Sequence, residues 1–312
     1  MIVSASRRTD IPAAHAEWMF RRLREGFALV RNPMNPRSVS RVSLAREDVD
    51  GIVFWTKNPA PMLEGLGALD GYAFYFQYTL TAYGRDAEPN LPGRAARLES
   101  FRRLAGALGP ERVLWRYDPI LLSARYPAEW HLESFRQLAE ALRGATEQVT
   151  ISFVDTYARN KKRLEALGAQ PIGEETMRTL AAEIAAIARQ NGMRPVACCE
   201  AADLRGCGVE PARCIDAARM GRIAGVPMRE ARDPNQRAGC GCAPSVDIGA
   251  YNTCPNGCLY CYANYSPALL RANLARRDDT SPLLCGALAP DDRVTERKLP
   301  GLRNGQLRMK LD

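Results

Sequence analysis

The chain has 312 residues, 46% hydrophobic and 25% charged, which is the composition of a globular protein long enough for one large α/β domain or two smaller ones. No apolar run could span a bilayer and the opening residues lack the regions of a signal peptide, so a cytoplasmic protein without a membrane partner is expected, and its ten cysteines exclude a disulfide framework in favour of metal or cluster binding. The net charge of +8 comes from 43 basic residues of which five are lysine, and no basic run is interleaved with aromatics, so the charge permits a nucleic-acid partner without arguing for one.

Short β-rich runs alternate with helical patterns through the first two thirds of the chain. Strands are predicted at Met1–Ser6, Gly51–Thr56, Tyr72–Leu80, Arg112–Tyr117, Val149–Val154 and Arg194–Cys199, rich in the apolar residues of buried parallel strands. Between them, helices are predicted at Ala14–Glu25, Arg94–Leu108, His131–Leu142 and Glu174–Arg189, the first stopped by Gly26 and the last by Asn191-Gly192. A seventh strand, Val246–Tyr251, leads into a cysteine-rich loop and then a helix over Ser266–Arg277. Repeated β–α units at this spacing imply a parallel sheet with helical crossovers, either an open doubly wound sheet or a barrel related to the (β/α)8 type. No G-x-G-x-x-G follows the first strand, which weakens a dinucleotide-binding reading. Beyond Thr280 the periodicity fades and a loosely structured tail, 281–312, is expected after a single domain spanning 1–280.

In parallel α/β barrels the functional groups gather at the C-terminal ends of strands. Those ends carry Arg7, Arg8, Thr9 and Asp10; Trp55, Thr56 and Lys57; Gln77, Thr79 and Thr81; Arg116 and Asp118; Ser152 and Asp155; and Cys199 and Glu200. As a set they read as a lined pocket, although each Asp or Asn alone could simply end a strand or cap a helix. Lys57, Arg116 and Arg8 suit a carboxylate or phosphate, with arginine offering a bidentate fork. His15 and His131 sit in helical stretches without a ligand-spaced partner and read as packing or surface residues.

The loop after the seventh strand reads Thr253-Cys254-Pro255-Asn256-Gly257-Cys258-Leu259-Tyr260-Cys261-Tyr262-Ala263-Asn264. Three thiolates at C-x3-C-x2-C can hold three irons of a [4Fe–4S] cluster and leave the fourth without a protein ligand, and an open position is what separates catalytic from structural metal sites. The spacing, with an aromatic before the last cysteine, resembles the radical S-adenosylmethionine (SAM) superfamily. The Tyr260-Cys261-Tyr262-Ala263-Asn264 ending is most similar to its spore photoproduct lyase branch. Matching stretches at Arg7–Asp10, Phe54–Pro59, Trp115–Pro119, Asp233–Arg237 and Asp247–Asn264 resemble a bacterial family of unknown function grouped with that superfamily.

The resemblance implies a partial (β/α) barrel of TIM-like type, an open iron that chelates SAM, and reductive cleavage of SAM to a 5'-deoxyadenosyl radical. It also implies an electron donor such as a flavodoxin or ferredoxin, and a substrate that is a small molecule, a peptide or a nucleic acid. Strand, cluster loop and helix open the barrel in that superfamily but come last here, so a circular permutation is inferred, with Val246–Tyr251 beside Met1–Ser6. Lys57, Arg116, Asp118 and Asn264 are the candidate cofactor-binding residues, and no residue is assigned to catalysis. A clear G-G-E segment for the SAM amino group is missing.

Within the cysteine-rich region 198–262, Cys199, Cys214, Cys240 and Cys242 form a candidate second group, read as an auxiliary [4Fe–4S] cluster, a structural zinc cage or separate buried thiols. Cys198, Cys207 and Cys285 fall into no group by spacing. Two rival functions stay open beside the radical SAM reading. One is an iron–sulfur electron carrier, the other a nucleic-acid-binding protein with structural zinc.

Overall fold

The computed structural model describes residues 1–237 and 239–303. Its strands in chain order are β1 (Ile2–Ala5), β2 (Phe27–Arg31), β3 (Ser38–Ser43), β4 (Gly51–Thr56), β5 (Phe74–Thr79), β6 (Val113–Ile120), β7 (Gln148–Phe153), β8 (Arg194–Ala197), β9 (Glu210–Pro211), β10 (Ser245–Asp247) and β11 (Arg293–Glu296). Eight of them form one sheet in the order β10-β1-β4-β5-β6-β7-β8-β9, with every neighbouring pair parallel. Among the described residues no ladder joins β9 to β10, so the two edges of this mixed α/β sheet are not closed on each other. The seven predicted strands all lie in it, and the late strand pairs with the first, Val3 opposite Val246 and Ser4 opposite Asp247.

Successive side chains of a strand point to opposite faces, and each face of this sheet has its own apolar core. On one face, Val3, Ile52, Phe54, Phe76, Trp115 and Ile151 are buried beneath the crossover helices Arg94–Leu108, Ala128–Ala141 and Glu174–Gln190. Aromatic stacking fixes these helices: Phe101 lies on Tyr78 and Phe135 on Trp115, each with ring centroids 4.8 Å apart. The other face carries Ile2, Val53, Tyr75 and Leu114, and the segment around helix Ala217–Ala224 packs Ile215, Met220 and Met228 against them. That helix is capped by Asp216, which accepts from the amides of Ala218 and Arg219. It is two turns long, and its buried Arg219 donates to Glu111 O and Glu147, which obscures an apolar stripe.

A second sheet, ordered β11-β3-β2, was not expected, because prolines 33 and 36 interrupt the hairpin between β2 and β3 and no Asn-Gly turn marks it. It corrects the reading of the tail as loosely structured. The amide of Leu29 donates to Pro282 O at 2.9 Å, β11 runs parallel to β3, and Arg31 forks onto Asp292 at 2.6 and 2.7 Å. Residues 304–312 of that expected tail lie outside the described residues. No helix among the described residues is long and apolar enough to cross a membrane.

Replacing Phe135, fully buried against Trp115 and Tyr117, removes a ring that the close-packed interior cannot refill. Phe135→Ala is expected to lower unfolding free energy by about 3–5 kcal/mol, read as a shifted denaturant midpoint at unchanged slope.

Candidate metal centre

The cysteine loop connects β10 to the helix Pro267–Ala275, whose N-cap Ser266 accepts from Leu269 N. Asp247, the last residue of β10, ties the loop's base to the start of the chain. Its carboxylate accepts from Ser4 Oγ at 2.8 Å, Ser6 Oγ at 2.6 Å, Arg7 N at 2.8 Å and Gly249 N at 3.0 Å. The loop itself has little regular structure, so its backbone groups need side-chain partners. Side chains supply them: His15 Nε2 to Thr253 O, Asn264 Nδ2 to Cys254 O, Asn90 Nδ2 to Pro255 O, Asn160 Nδ2 to Tyr260 O and Arg163 Nη2 to Cys261 O. Gly257 has φ +70, and a Cβ there would stand 2.9 Å from the Asn90 amide.

With its carbonyls held outward, the loop directs Cys254, Cys258 and Cys261 to one cavity of about 420 Å³, within the ~300–1,000 Å³ of small-molecule sites. The cavity lies at the C-terminal ends of the sheet strands. Arg7, Arg8, Thr9 and Asp10, then Trp55 and Lys57, then Arg116, Asp118, Ser152, Asp155 and Glu200 line it beside the thiols. The strand-end residues picked from the sequence are thus largely brought together. Gln77 and Thr81 are turned away from it, donating to Cys214 O and Glu88.

Of the candidate cofactor-binding residues, Lys57, Arg116 and Asp118 reach the cavity and Asn264 instead fastens the loop. Lys57 is held by Glu88, a residue that sequence reasoning missed. The Glu88 carboxylate accepts from Lys57 Nζ at 2.9 Å, from Thr81 Oγ1 at 2.7 Å and from the Tyr260 hydroxyl, and it pairs with Arg97 at 3.2 Å. Its one available signal was an acidic residue beside a proline in a turn-rich stretch, which is no signal of burial. Arg116 forks onto Asp118, whose other oxygen accepts from Ser152 Oγ. Both histidines are buried and structural, and burial pushes each down to about 4, so they are neutral at physiological pH.

Cys258 is buried, which pushes its thiol up to about 12 against the pull of Lys57. Left alone it is protonated at neutral pH, and a metal would displace that proton. Ala263 N donates to Cys261 Sγ at 3.3 Å, the kind of amide contact that stabilises a thiolate ligand. Three soft donors on one fastened loop, facing a cavity, fit an iron–sulfur cluster held on three sides. Among the described residues no three His, Cys, Asp or Glu side chains stand at the spacing of a single bound ion. A cubane asks for a different arrangement, because each of its thiolates binds a separate iron.

Of the other cysteines, Cys198 Sγ lies 3.3 Å from Cys214 Sγ, and Ile215 N donates to Cys242 Sγ at 3.4 Å. Cys198, Cys199, Cys214, Cys240 and Cys242 all line the cavity that the triad lines.

Burial alone would raise the Glu88 carboxyl, but the Lys57 and Arg97 cations outweigh it and hold it below its ordinary range. A carboxyl lowered in the folded state contributes stability above its unfolded pKa of ~4.3 and loses it as pH falls through the folded value. Glu88→Gln leaves two buried cations short of an anion and is expected to destabilise by roughly 3–5 kcal/mol at pH 7. Its stability should also fall less steeply than the wild type's below about pH 4.5, seen in urea midpoints measured against pH.

Residues 2–263 match the family described as "Domain of unknown function (DUF1848)", and the chain belongs to that family. No curated protein matches it.

Proposed function

We propose that this DUF1848 chain is a radical SAM enzyme. The observation that carries the reading is the placement of Cys254, Cys258 and Cys261 on one side-chain-fastened loop, facing a cavity at the C-terminal ends of a parallel sheet. On this reading the sheet is a partial (β/α) barrel, permuted so that the cluster-binding strand β10 comes last in the chain and first in space, beside β1.

A [4Fe–4S] cluster on these thiolates would supply one-electron cleavage of SAM, with a flavodoxin or ferredoxin as donor. The protein's own residues do the positioning. Lys57, fixed by Glu88 and lying 5.4 Å from the Tyr260 ring, sets a positive charge against the thiolate side of the cavity. Asp10 accepts from Lys57 N at 2.7 Å and Asn256 Nδ2 at 3.0 Å, so the β4 end and the cysteine loop share one anchor. Arg7 and Arg8 line the cavity with guanidinium groups suited to a carboxylate. The Thr9 hydroxyl is buried at the cavity wall with no hydrogen-bond partner among the described residues and is free to bind a ligand.

The decisive assay is anaerobic. The full chain is reconstituted with iron and sulfide, reduced with dithionite and given SAM, and 5'-deoxyadenosine is measured. Deoxyadenosine is expected from the wild type and not from the Cys254→Ala/Cys258→Ala/Cys261→Ala variant. A full, reducible cluster without deoxyadenosine would replace the enzyme with an electron carrier. A colourless, oxygen-tolerant protein holding zinc on the triad would replace it with a structural zinc protein.

A further inference from the structure

We propose that Cys198 and Cys214 form a redox-active dithiol, a thiol–disulfide exchange site whose substrate is a small thiol or disulfide taken into the cavity that both residues line. The site uses none of the Cys254–Cys258–Cys261 thiols and is independent of the radical SAM reading.

Two fixed segments bring the sulfurs together. Cys198 follows β8, and its amide donates to Ile151 O at 3.0 Å. Cys214 precedes the helix Ala217–Ala224, and its carbonyl accepts from the Tyr75 hydroxyl at 2.7 Å and from Gln77 Nε2 at 2.9 Å. The segments are joined where Ala212 N donates to Ala197 O at 2.7 Å. The two Sγ atoms stand 3.3 Å apart, so a disulfide bond of about 2.05 Å leaves about 1.3 Å to close. A cysteine that only packs behaves as a small hydrophobe and has no use for a cation. Here Arg116 Nη1 donates to Cys214 Sγ at 3.1 Å.

The two sulfurs are placed for different parts. Cys198 is half-buried and Cys214 is buried, so the incoming molecule meets Cys198 first. The Arg116 guanidinium favours the thiolate on Cys214, the form in which a sulfur attacks and the form in which it leaves. In the oxidised site an incoming thiolate attacks Cys198 Sγ, the Cys198–Cys214 bond breaks, and its electron pair leaves on Cys214 beside Arg116. A second thiolate then attacks the outer sulfur of the mixed disulfide and releases Cys198 as a thiolate. Two small thiols become one disulfide, the protein disulfide is reduced to two thiols, and the two protons pass to Cys198 and Cys214. The reverse sequence oxidises the pair at the expense of a small disulfide, which is the one oxidant that the cycle needs. A cavity of about 420 Å³ has room for compounds of this class.

The test is made without air on the full chain. The protein is equilibrated in glutathione buffers of graded oxidised-to-reduced ratio, quenched with acid, alkylated and read by peptide mass spectrometry. A Cys198–Cys214 disulfide is expected to appear with a single two-electron midpoint and to disappear on addition of dithiothreitol. The Cys199→Ser chain should show the same midpoint, as should the Cys254→Ala/Cys258→Ala/Cys261→Ala variant, which lacks the loop thiols. Cys214→Ser should stop the cycle halfway, with glutathione held on Cys198. Circular dichroism of each variant separates loss of exchange from loss of fold. A folded wild type that forms no Cys198–Cys214 disulfide at any ratio overturns the proposal. So does a disulfide that joins either residue to Cys199, Cys240 or Cys242 instead, or a folded Cys214→Ser chain whose Cys198 takes up no glutathione. Cys198 and Cys214 blocked by bound metal or sulfide in the folded triad variant would overturn it as well.

Discussion

The structure depends on one long-range pairing, the parallel contact of β10 with β1. The two strands are separated by some 240 residues of chain, and their ladder is only three residues long. It is reinforced by Asp247, whose carboxylate accepts four hydrogen bonds from the β1 end and the following turns. Charge-assisted bonds of this kind are the stronger ones, and here they converge on a partly buried group. The close approach requires Gly249, where a Cβ would fall 2.1 Å from Ser6 Oγ. Without this clasp the cysteine loop would hang from the edge of the sheet. With it, the loop is set over the ends of strands that come from the other end of the chain.

The loop then shows how an irregular segment can be made rigid. Its carbonyls are claimed one by one by His15, Asn90, Asn160 and Arg163 from outside the loop and by Asn264 from within it. Unpaired backbone groups in such a place are costly, so the polar side chains around the loop are structural before they are anything else. The charged groups follow the same logic. Glu88 is buried among two cations, a hydroxyl and a phenol, and Asp118 between Arg116 and Ser152. These networks fix Lys57 and Arg116 at the cavity wall, which is how a site on loops acquires precise geometry.

Much of the architecture was legible in the sequence. The apolar runs and helical periodicities marked the parallel strands and major crossover helices, because burial on both faces of a sheet leaves a strong local pattern. The β2–β3–β11 sheet was not legible. Its segments are short and interrupted by proline, and they are held by contacts that pattern does not encode. For the site, the triad and the polar strand ends could be named in advance because their chemistry is written in residue type and spacing. Glu88 could not, because its importance lies in what surrounds it.

The sequence by itself thus determined the parallel α/β character of the chain and the three cysteines of the loop, since both follow from local order along the backbone. Long-range contacts alone set the Val3–Val246 register of β1 on β10, seat Glu88 on Lys57 and bring Cys198 Sγ to 3.3 Å from Cys214 Sγ. Each of these is a contact between segments far apart in the chain. No spacing rule along the chain contains such contacts, because each depends on how distant segments pack against one another.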